Sequence, residues 1–327
     1  MNNNIYEIIS LLADGKSRSG QEIGDLLKIT RSAVWKIMHK LSELGIPVER
    51  HQGKGYRFTR PVQMLNKEQV WDGLSLEIQQ LIPQFELHDS LCSTNNYMLE
   101  QMKLAKPSGS LVLCEHQTAG RGRLGRSWHS PYAANVYLAL YWHFNKDTSE
   151  LSGLSQVIST AVLTALSTHN VPNLTLKWPN DIHHDDKKLA SVLVDIMAES
   201  HSTTDAVIGV SVNISMPDNQ EAIDQPWTDI HTIIQEFPDR NKITSALVES
   251  IYAALIEFEK QGFAPFAERW AQYDGLTQKH ISASNGNHAF EGIAQGLGSM
   301  GELMIETAAG PIAFLNGSVK LLTIKSY

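Results

Sequence analysis

The stretch Gly120-Arg-Gly-Arg-Leu-Gly-Arg-Ser-Trp-His-Ser-Pro131 sets three glycines and three arginines within seven residues, then adds a Trp and a Pro. Glycine lets a backbone curl tightly and approach a ligand. Arginine offers a fixed fork of donors that matches phosphate and carboxylate. A loop of this composition suits closure over a small anionic molecule; taken alone, it also reads as a solvated basic loop. The spacing Gly120-x-Gly122-x-x-Gly125 fits the dinucleotide fingerprint as well. That fingerprint requires a strand before it, a helix after it and an acidic residue about 20 positions on. The apolar run Leu111–Cys114 supplies the strand. On the other side, Trp128, Pro131 and the alternating Asn135–Leu140 read as loop and then strand. A Rossmann turn is therefore not expected.

Outward from the loop lie three more clusters. Upstream, Ser93-Thr94-Asn95-Asn96 opens a helical stretch after the strand-like Phe85–His88, and Glu115-His116-Gln117-Thr118-Ala119 leads into the loop. Hydroxyls and amides at a helix start suit a polar ligand, and equally an ordinary N-cap. Downstream, Leu176-Lys177-Trp178-Pro179-Asn180-Asp181 ends an apolar-basic strand in a turn. Then Lys187-Lys188-Leu189-Ala190-Ser191-Val192-Leu193-Val194-Asp195 reads as a buried strand, expected to pair with the apolar Ala206–Asn213. His183, His184, Asp185 and Asp186 fall in the connecting hairpin, where a solvated loop is favoured over a metal site.

The chain has 327 residues, 42% hydrophobic and 19% charged, enough for two or three domains with a sizeable core. Two cysteines, Cys92 and Cys114, give no disulfide framework. The opening MNNNIYEIIS lacks the basic stretch and apolar core of a signal peptide, and no run approaches a membrane span. A cytoplasmic protein is expected, with no membrane partner. The net charge of −8 is unevenly spread: residues 1–60 hold ten Lys and Arg against six Asp and Glu, a local +4 that leaves −12 for the remainder. Such asymmetry points the first segment at a polyanion.

That segment reads as a winged helix-turn-helix. Ile5, Ile8, Ile9, Leu11 and Leu12 share a helical face that Asp14-Gly15 ends. Ser19 and Glu22 stand at capping-box spacing before a second helix, Gly20–Leu27. Thr30 caps a third, Arg31–Leu44, and Val48–Phe58 folds back at Gly53-Lys54-Gly55 as the wing. Arg31, Ser32, Trp35, Lys36, His39 and Lys40 face outward from the third helix, as groups for phosphates and base edges. A helical bundle for protein contacts is the alternative; the basic skew and the wing favour DNA. Pro61–Asn66 reads as the linker. At the other end, Ala246, Val248, Ile251, Leu255 and Phe258 form an amphipathic helix ending near Gly262, with Trp270 and Tyr273 closing the central core. Short alternating runs from His280 to Ile324, separated by glycines and asparagines, read as a small barrel.

STNNY at 93–97, GRGRLGRSW at 120–128, KWPND at 177–181 and KKLASVLVD at 187–195, in this order, resemble the bacterial biotin protein ligases over nearly the whole chain. The likeness is closest to the bifunctional kind, which carries a DNA-binding domain and represses biotin synthesis. It implies an α/β fold: a winged helix-turn-helix domain at 1–64, a mixed-sheet ligase catalytic domain at 65–275 and an SH3-like β-barrel at 276–327. It implies ATP and biotin as substrates, biotinyl-5'-AMP as corepressor, and Mg²⁺ carried by the triphosphate without a dedicated protein metal site. The implied partners are a biotin carboxyl carrier protein, operator DNA and a second copy of the chain once adenylate is bound.

By the same resemblance, catalysis rests on Lys188, Arg123, Asp181 and Lys177. Biotin meets Ser93, Thr94, Asn95, Gln117, Gly120, Arg121, Arg123 and Lys188. The nucleotide meets Arg123, Arg126, Trp128, Asn180, Asn213 and Lys320. The family's strands carry glycine where this chain has Ser191 and Ser211, so two hydroxymethyl groups are expected at the floor of the biotin pocket, bonded to each other or to nearby backbone. A lipoate-type ligase, a biotin sensor with little ligase activity, and a ligase that no longer binds DNA remain as alternative readings.

Overall fold

Ser19 accepts a hydrogen bond from the Glu22 amide, and the Glu22 side chain returns to the Ser19 amide, the reciprocal cap that their spacing predicts. In this computed structural model, which describes residues 3–46, 48–51, 53–198, 202–217, 223–286 and 288–322, that cap starts α2 (Gly20–Leu27) after α1 (Asn3–Leu12). Thr30 caps α3 (Arg31–Glu43). Ile5, Ile8, Ile9, Leu12, Ile23, Val34, Met38 and Leu41 meet as one apolar core. β1 (Val48–His51) and β2 (Gly55–Phe58) pair antiparallel as the wing. Backbone bonds between Arg18 and Tyr56 tie the wing to the helices.

The 61–66 linker is pinned rather than loose. The Leu65 amide donates to Glu115, the Asn66 amide donates to Asn241, and the Gln63 carbonyl accepts from Arg240. Arg240 and Glu115 form a fully buried ion pair at 2.8 Å. Arg240 also donates to the Asn135 carbonyl, so both charges are hydrogen-bonded, as burial of a charge requires.

The central domain runs through α4 (Lys67–Asp72), α5 (Leu76–Leu81), β3 (Phe85–His88), α6 (Thr94–Lys103), β4 (Leu111–Cys114), β5 (Asn135–Phe144), α7 (Leu154–Ser167), β6 (Leu174–Lys177), β7 (Asp181–His184), β8 (Lys187–Ala198), β9 (Thr204–Asn213), α8 (Ile230–Ile234), α9 (Arg240–Gln261) and α10 (Ala264–Tyr273). Its seven-stranded mixed sheet has the order β3-β4-β5-β9-β8-β7-β6. The strand period of two divides the side chains between faces. Ala190, Val192, Ile208, Val210 and Val212 face the core under α7 and α9. Val112, Ala139, Tyr141 and Val207 face Met98 of α6 on the other side. Ser191, Leu193, Asp195, Gly209 and Ser211 therefore share the α6 side. Trp270 is buried as expected, whereas Tyr273, at the end of α10, is 39% exposed and does not close the core.

β10 (His280–Ser284), β11 (Ala289–Leu297), β12 (Leu303–Thr307), β13 (Gly310–Phe314) and β14 (Ser318–Leu321) form an antiparallel five-stranded sheet of SH3-like character, in the order β13-β12-β11-β10-β14. The expected final strand ended at Ile324; residues 323–327 lie outside those described. Gly301, in the β11–β12 turn, accepts hydrogen bonds from Trp178 and Gln156, which seats this sheet beside the Trp-Pro-Asn-Asp turn.

Candidate active site

Ser93 sits in extended conformation and caps α6, accepting from the Asn96 amide. Next to it, the Thr94 amide and hydroxyl both donate to Gln117 Oε1, at 2.9 and 3.2 Å. Gln117 Nε2 donates to Ser130 Oγ at 3.0 Å. This relay fixes the polar end of a narrow cavity, about 20 Å³ with the loop folded down, that Ser93, Thr94, Asn95, Gln117, Arg121, Arg123, Trp128, Ser191 and Ser211 all line.

The glycine-arginine loop closes over that cavity by folding on itself. Trp128 N–H donates to the Gly120 carbonyl and Gly122 N–H to the Arg126 carbonyl. A Cβ on Gly120 would lie 2.5 Å from the Trp128 carbonyl oxygen and 2.7 Å from Ser130 Oγ. Glycine is needed at 120 for the loop's own closure. A short turn at Arg123–Gly125 leads on to β5, with no Rossmann helix. Arg121 pairs with Asp195 of β8 at 2.8 Å. Arg123 donates to Asn316 in the β13–β14 turn at 3.2 Å. Arg126 is exposed and does not line the cavity.

At the cavity's edge, Lys188 Nζ lies 2.8 Å from Asp181 Oδ2 and 5.3 Å from the centre of the Trp128 ring. Ser191 Oγ donates to the other Asp181 oxygen at 2.6 Å and accepts from Asn180 Nδ2 at 3.2 Å. Burial alone would raise the Asp181 pKa; Lys188 and the hydrogen bonds outweigh it, so this carboxyl is held below its ordinary value. Lys177, opposite Asp181 on β6, has its pKa lowered by burial. The expectation for the serines is corrected here: Ser191 faces Ser211 across β8 and β9, but its hydroxyl serves two side chains, Asp181 and Asn180.

Three readings of the 177–213 region and the C-terminus need correction. His183 is 6% exposed on β7, not in a solvated loop; only Asp185 and Asp186 turn, both at positive φ. Burial pushes its pKa down to about 4, and its Nε2 has no hydrogen-bond partner among the described residues. Asn213 is buried, with its amide donating to the Thr228 carbonyl and accepting from Asn135, so it is spent inside the domain. Lys320 is exposed on β14 and does not line the cavity; Asn316 is the residue of that sheet that reaches the loop.

Sequence reasoning left Asp195, Gly209 and Asn316 without roles. Asn95 donates to Asp195 Oδ2 at 3.0 Å and to the Leu193 carbonyl at 3.1 Å. Its amide rests on Gly209, where a Cβ would fall 1.7 Å from Asn95 Oδ1. The signal for Asp195 was its strand period with Ser191, which puts both on the cavity side. On α3, Arg31, Ser32, Trp35, Lys36, His39 and Lys40 are all exposed, and the Trp35 and His39 rings lie 5.7 Å apart.

A mixed sheet with a glycine-arginine loop over a polar cavity and a Lys-Asp pair at its mouth, behind a winged helix, defines a protein ligase with a DNA-binding head. The comparisons agree. Residues 87–213 match the biotin/lipoate A/B protein ligase family and residues 4–57 a helix-turn-helix domain. The chain is 32% identical over 316 residues to the bifunctional ligase/repressor BirA of Escherichia coli (strain K12), covering 96% of each chain. It is 30% identical over 314 residues to its counterpart in Bacillus subtilis (strain 168), covering 93% of each. In fold, it matches the biotin protein ligase from Aquifex aeolicus in complex with biotin and ATP, with TM-score 0.64 and 23% identity, over 74% of this chain and 99% of that one. The chain belongs to the bifunctional biotin ligase/repressor family.

Proposed function

We infer that this chain is an ATP-dependent biotin protein ligase that also represses transcription in response to biotin. The observation that carries the ligase reading is the closed glycine-arginine loop over the Ser93-Thr94-Gln117 relay, with Lys188 parked on Asp181 at the mouth. Biotin's carboxylate attacks the α-phosphate of ATP and expels pyrophosphate, leaving a mixed anhydride. A lysine of a biotin carboxyl carrier protein then attacks the acyl carbon and expels AMP. Neither step needs a protein nucleophile, so positioning and charge stabilisation dominate.

The relay offers fixed donors and acceptors to the ureido head of biotin, with Asn95 and Arg121 at its sides. Lys188 sits near enough to leave Asp181 for the carboxylate and the α-phosphate. Arg123 adds a half-buried positive charge on the loop. Trp128 offers its ring beside the adenine and a buried Nε1–H that lacks a partner among the described residues. Asp181, freed from Lys188, receives and orients the incoming lysine, with Lys177 and Asn180 completing the floor. No three of His, Cys, Asp and Glu converge as a metal site among the described residues; Mg²⁺ fits here as a companion of the triphosphate, held by the nucleotide more than by protein carboxylates.

The α3 face and the +4 charge of residues 1–60 support operator binding. β7 pairs with β8 only as far as Ser191, so from 193 to 198 the outer edge of β8 opposes no strand among the described residues, and Ile196 is 41% exposed. Two copies joined along this edge would make the homodimer, and Asp195 links that edge to the loop. No described helix is long and apolar enough to cross a membrane; the proposed location is the cytoplasm. The proposed domains are 1–64, 65–275 and 276–327. The test is mass spectrometry of a biotin-carrier domain incubated with the protein, ATP and biotin or lipoate. Addition of one biotinyl group supports the reading; lipoylation alone, or no modification, overturns it.

A further inference from the structure

Ser191 stands directly across from Asp181 between β8 and β7, next to a register shift at Ile182 and His183. Its hydroxyl is fixed from two sides, donating to Asp181 Oδ1 at 2.6 Å and accepting from Asn180 Nδ2. Asn180 is buried and its amide also donates to the Val192 carbonyl, so the acceptor side of the arrangement is rigid. The second Asp181 oxygen holds Lys188. One ammonium thus serves a carboxylate in the resting site and must serve two substrate anions in the loaded one.

We propose that Ser191 is a positioning residue for the transfer step: its hydroxyl keeps the Asp181 carboxylate in place and ionised when Lys188 turns to the substrate anions. This rests on the reading of Asp181 as the group that receives the acceptor lysine. A mostly buried carboxylate that lost its only donor would take up a proton and could no longer accept from an incoming ammonium. Ser191 supplies a donor that does not leave. The other groups facing Asp181 are Lys177 from β6, His183 from its own strand and Arg123 from the loop. Arg123 is engaged with Asn316, and none of the three is hydrogen-bonded to the carboxylate among the described contacts. A glycine at 191 would leave Asp181 to these longer-range charges alone.

The experiment separates the two half-reactions in the full-length protein. Adenylate formation is followed by pyrophosphate release. Transfer is followed in single turnover from enzyme-held biotinyl-AMP to a biotin-carrier domain, across pH. The variants are Asp181→Asn, Ser191→Ala and Ser191→Thr. Ser191→Ala should slow transfer about tenfold more than it slows adenylate formation, the scale of one hydrogen bond to a charged group. It should also move the acid limb of the transfer profile to higher pH, because a carboxylate that loses a donor is protonated more easily. Ser191→Thr should restore both. If Asp181→Asn transfers at the wild-type rate, the reading of Asp181 fails and the inference falls with it. If Asp181→Asn is slow while Ser191→Ala matches wild type in rate and pH profile, only the role of Ser191 is overturned. Equal slowing of both half-reactions by Ser191→Ala also overturns it, since a residue that merely shapes the pocket would do that.

Discussion

Replacing Gly209 with alanine tests whether Asn95 holds the loop's anchor. The new Cβ would lie 1.7 Å from Asn95 Oδ1 and 2.6 Å from its Cγ, so the amide must leave. Asn95 is 4% exposed, and its side chain has little room to settle elsewhere. Leaving breaks one neutral hydrogen bond, to the Leu193 carbonyl, and one charge-assisted bond, to Asp195. At about 1 and 2 kcal/mol, the loss is about 3 kcal/mol. Asp195 keeps Arg121 but loses the partner that fixes its orientation. We expect Gly209→Ala to lower the unfolding free energy by about 3 kcal/mol and to weaken biotin binding at least tenfold, measured by denaturant titration and calorimetry. The decisive control is Asn95→Ala. With the Asn95 amide absent, the atoms that clash with the added methyl are gone, and Gly209→Ala should cost much less. A cost for Gly209→Ala that is the same in both backgrounds would refute the reasoning, because additivity means the two positions do not interact.

Lys188→Ala should slow adenylate formation by a hundredfold or more, the scale of about 3 kcal/mol of lost charge stabilisation; near-normal pyrophosphate release would remove Lys188 from catalysis. Lys36→Ala with Lys40→Ala should weaken binding to all DNA sequences and flatten its salt dependence by about one phosphate contact per residue; an unchanged salt slope would mean that α3 does not meet DNA. His183 is held neutral by burial with its pKa near 4, against an ordinary 6.5, so the unfolded chain binds a proton in that window that the folded chain refuses. Stability is therefore full above pH 6.5 and falls by roughly 3 kcal/mol as pH drops towards 4; His183→Asn should flatten that part of the profile, and an identical slope in urea unfolding would sink the idea.

What could be read from the sequence was local. The Ser19–Glu22 and Thr30 caps, the wing turn and the apolar faces of α1 and α3 depend on residues three or four apart, and each appears in the structure. The loop declared itself through composition. The pairs that hold the site were not legible, because they join distant positions: Arg121 and Asp195 are 74 residues apart, Glu115 and Arg240 are 125 apart. Strand period places Ser191 and Asp195 on one face, but it does not tell which side chains stand opposite. The shift at Ile182 and His183 hid the meeting of Ser191 with Asp181. His183 was misread for a related reason. A run of two histidines and two aspartates has the polarity of a turn, yet the strand continues through His184 and only the aspartates bend.

The strength of the loop's anchors decides whether it can act as a lid. Two of its arginines fasten the loop to the rest of the site, Arg121 to Asp195 and Arg123 to Asn316, beside the Ser130 contact with Gln117 and the Trp128 ring near Lys188. The first is an ion pair with side chains 38% and 26% exposed, and solvent screening limits such a pair to about 1 kcal/mol or less. The second is a hydrogen bond at a surface turn, worth about 1 kcal/mol. Together these two contacts contribute at most about 2 kcal/mol to closure, small enough for binding energy to open and close the loop. A much tighter latch would bar substrates from the cavity; a much weaker one would leave the anhydride exposed to water. Anchors of this strength would admit biotin and ATP, and substrate anions reaching Arg123 would add the remaining stabilisation only once in place.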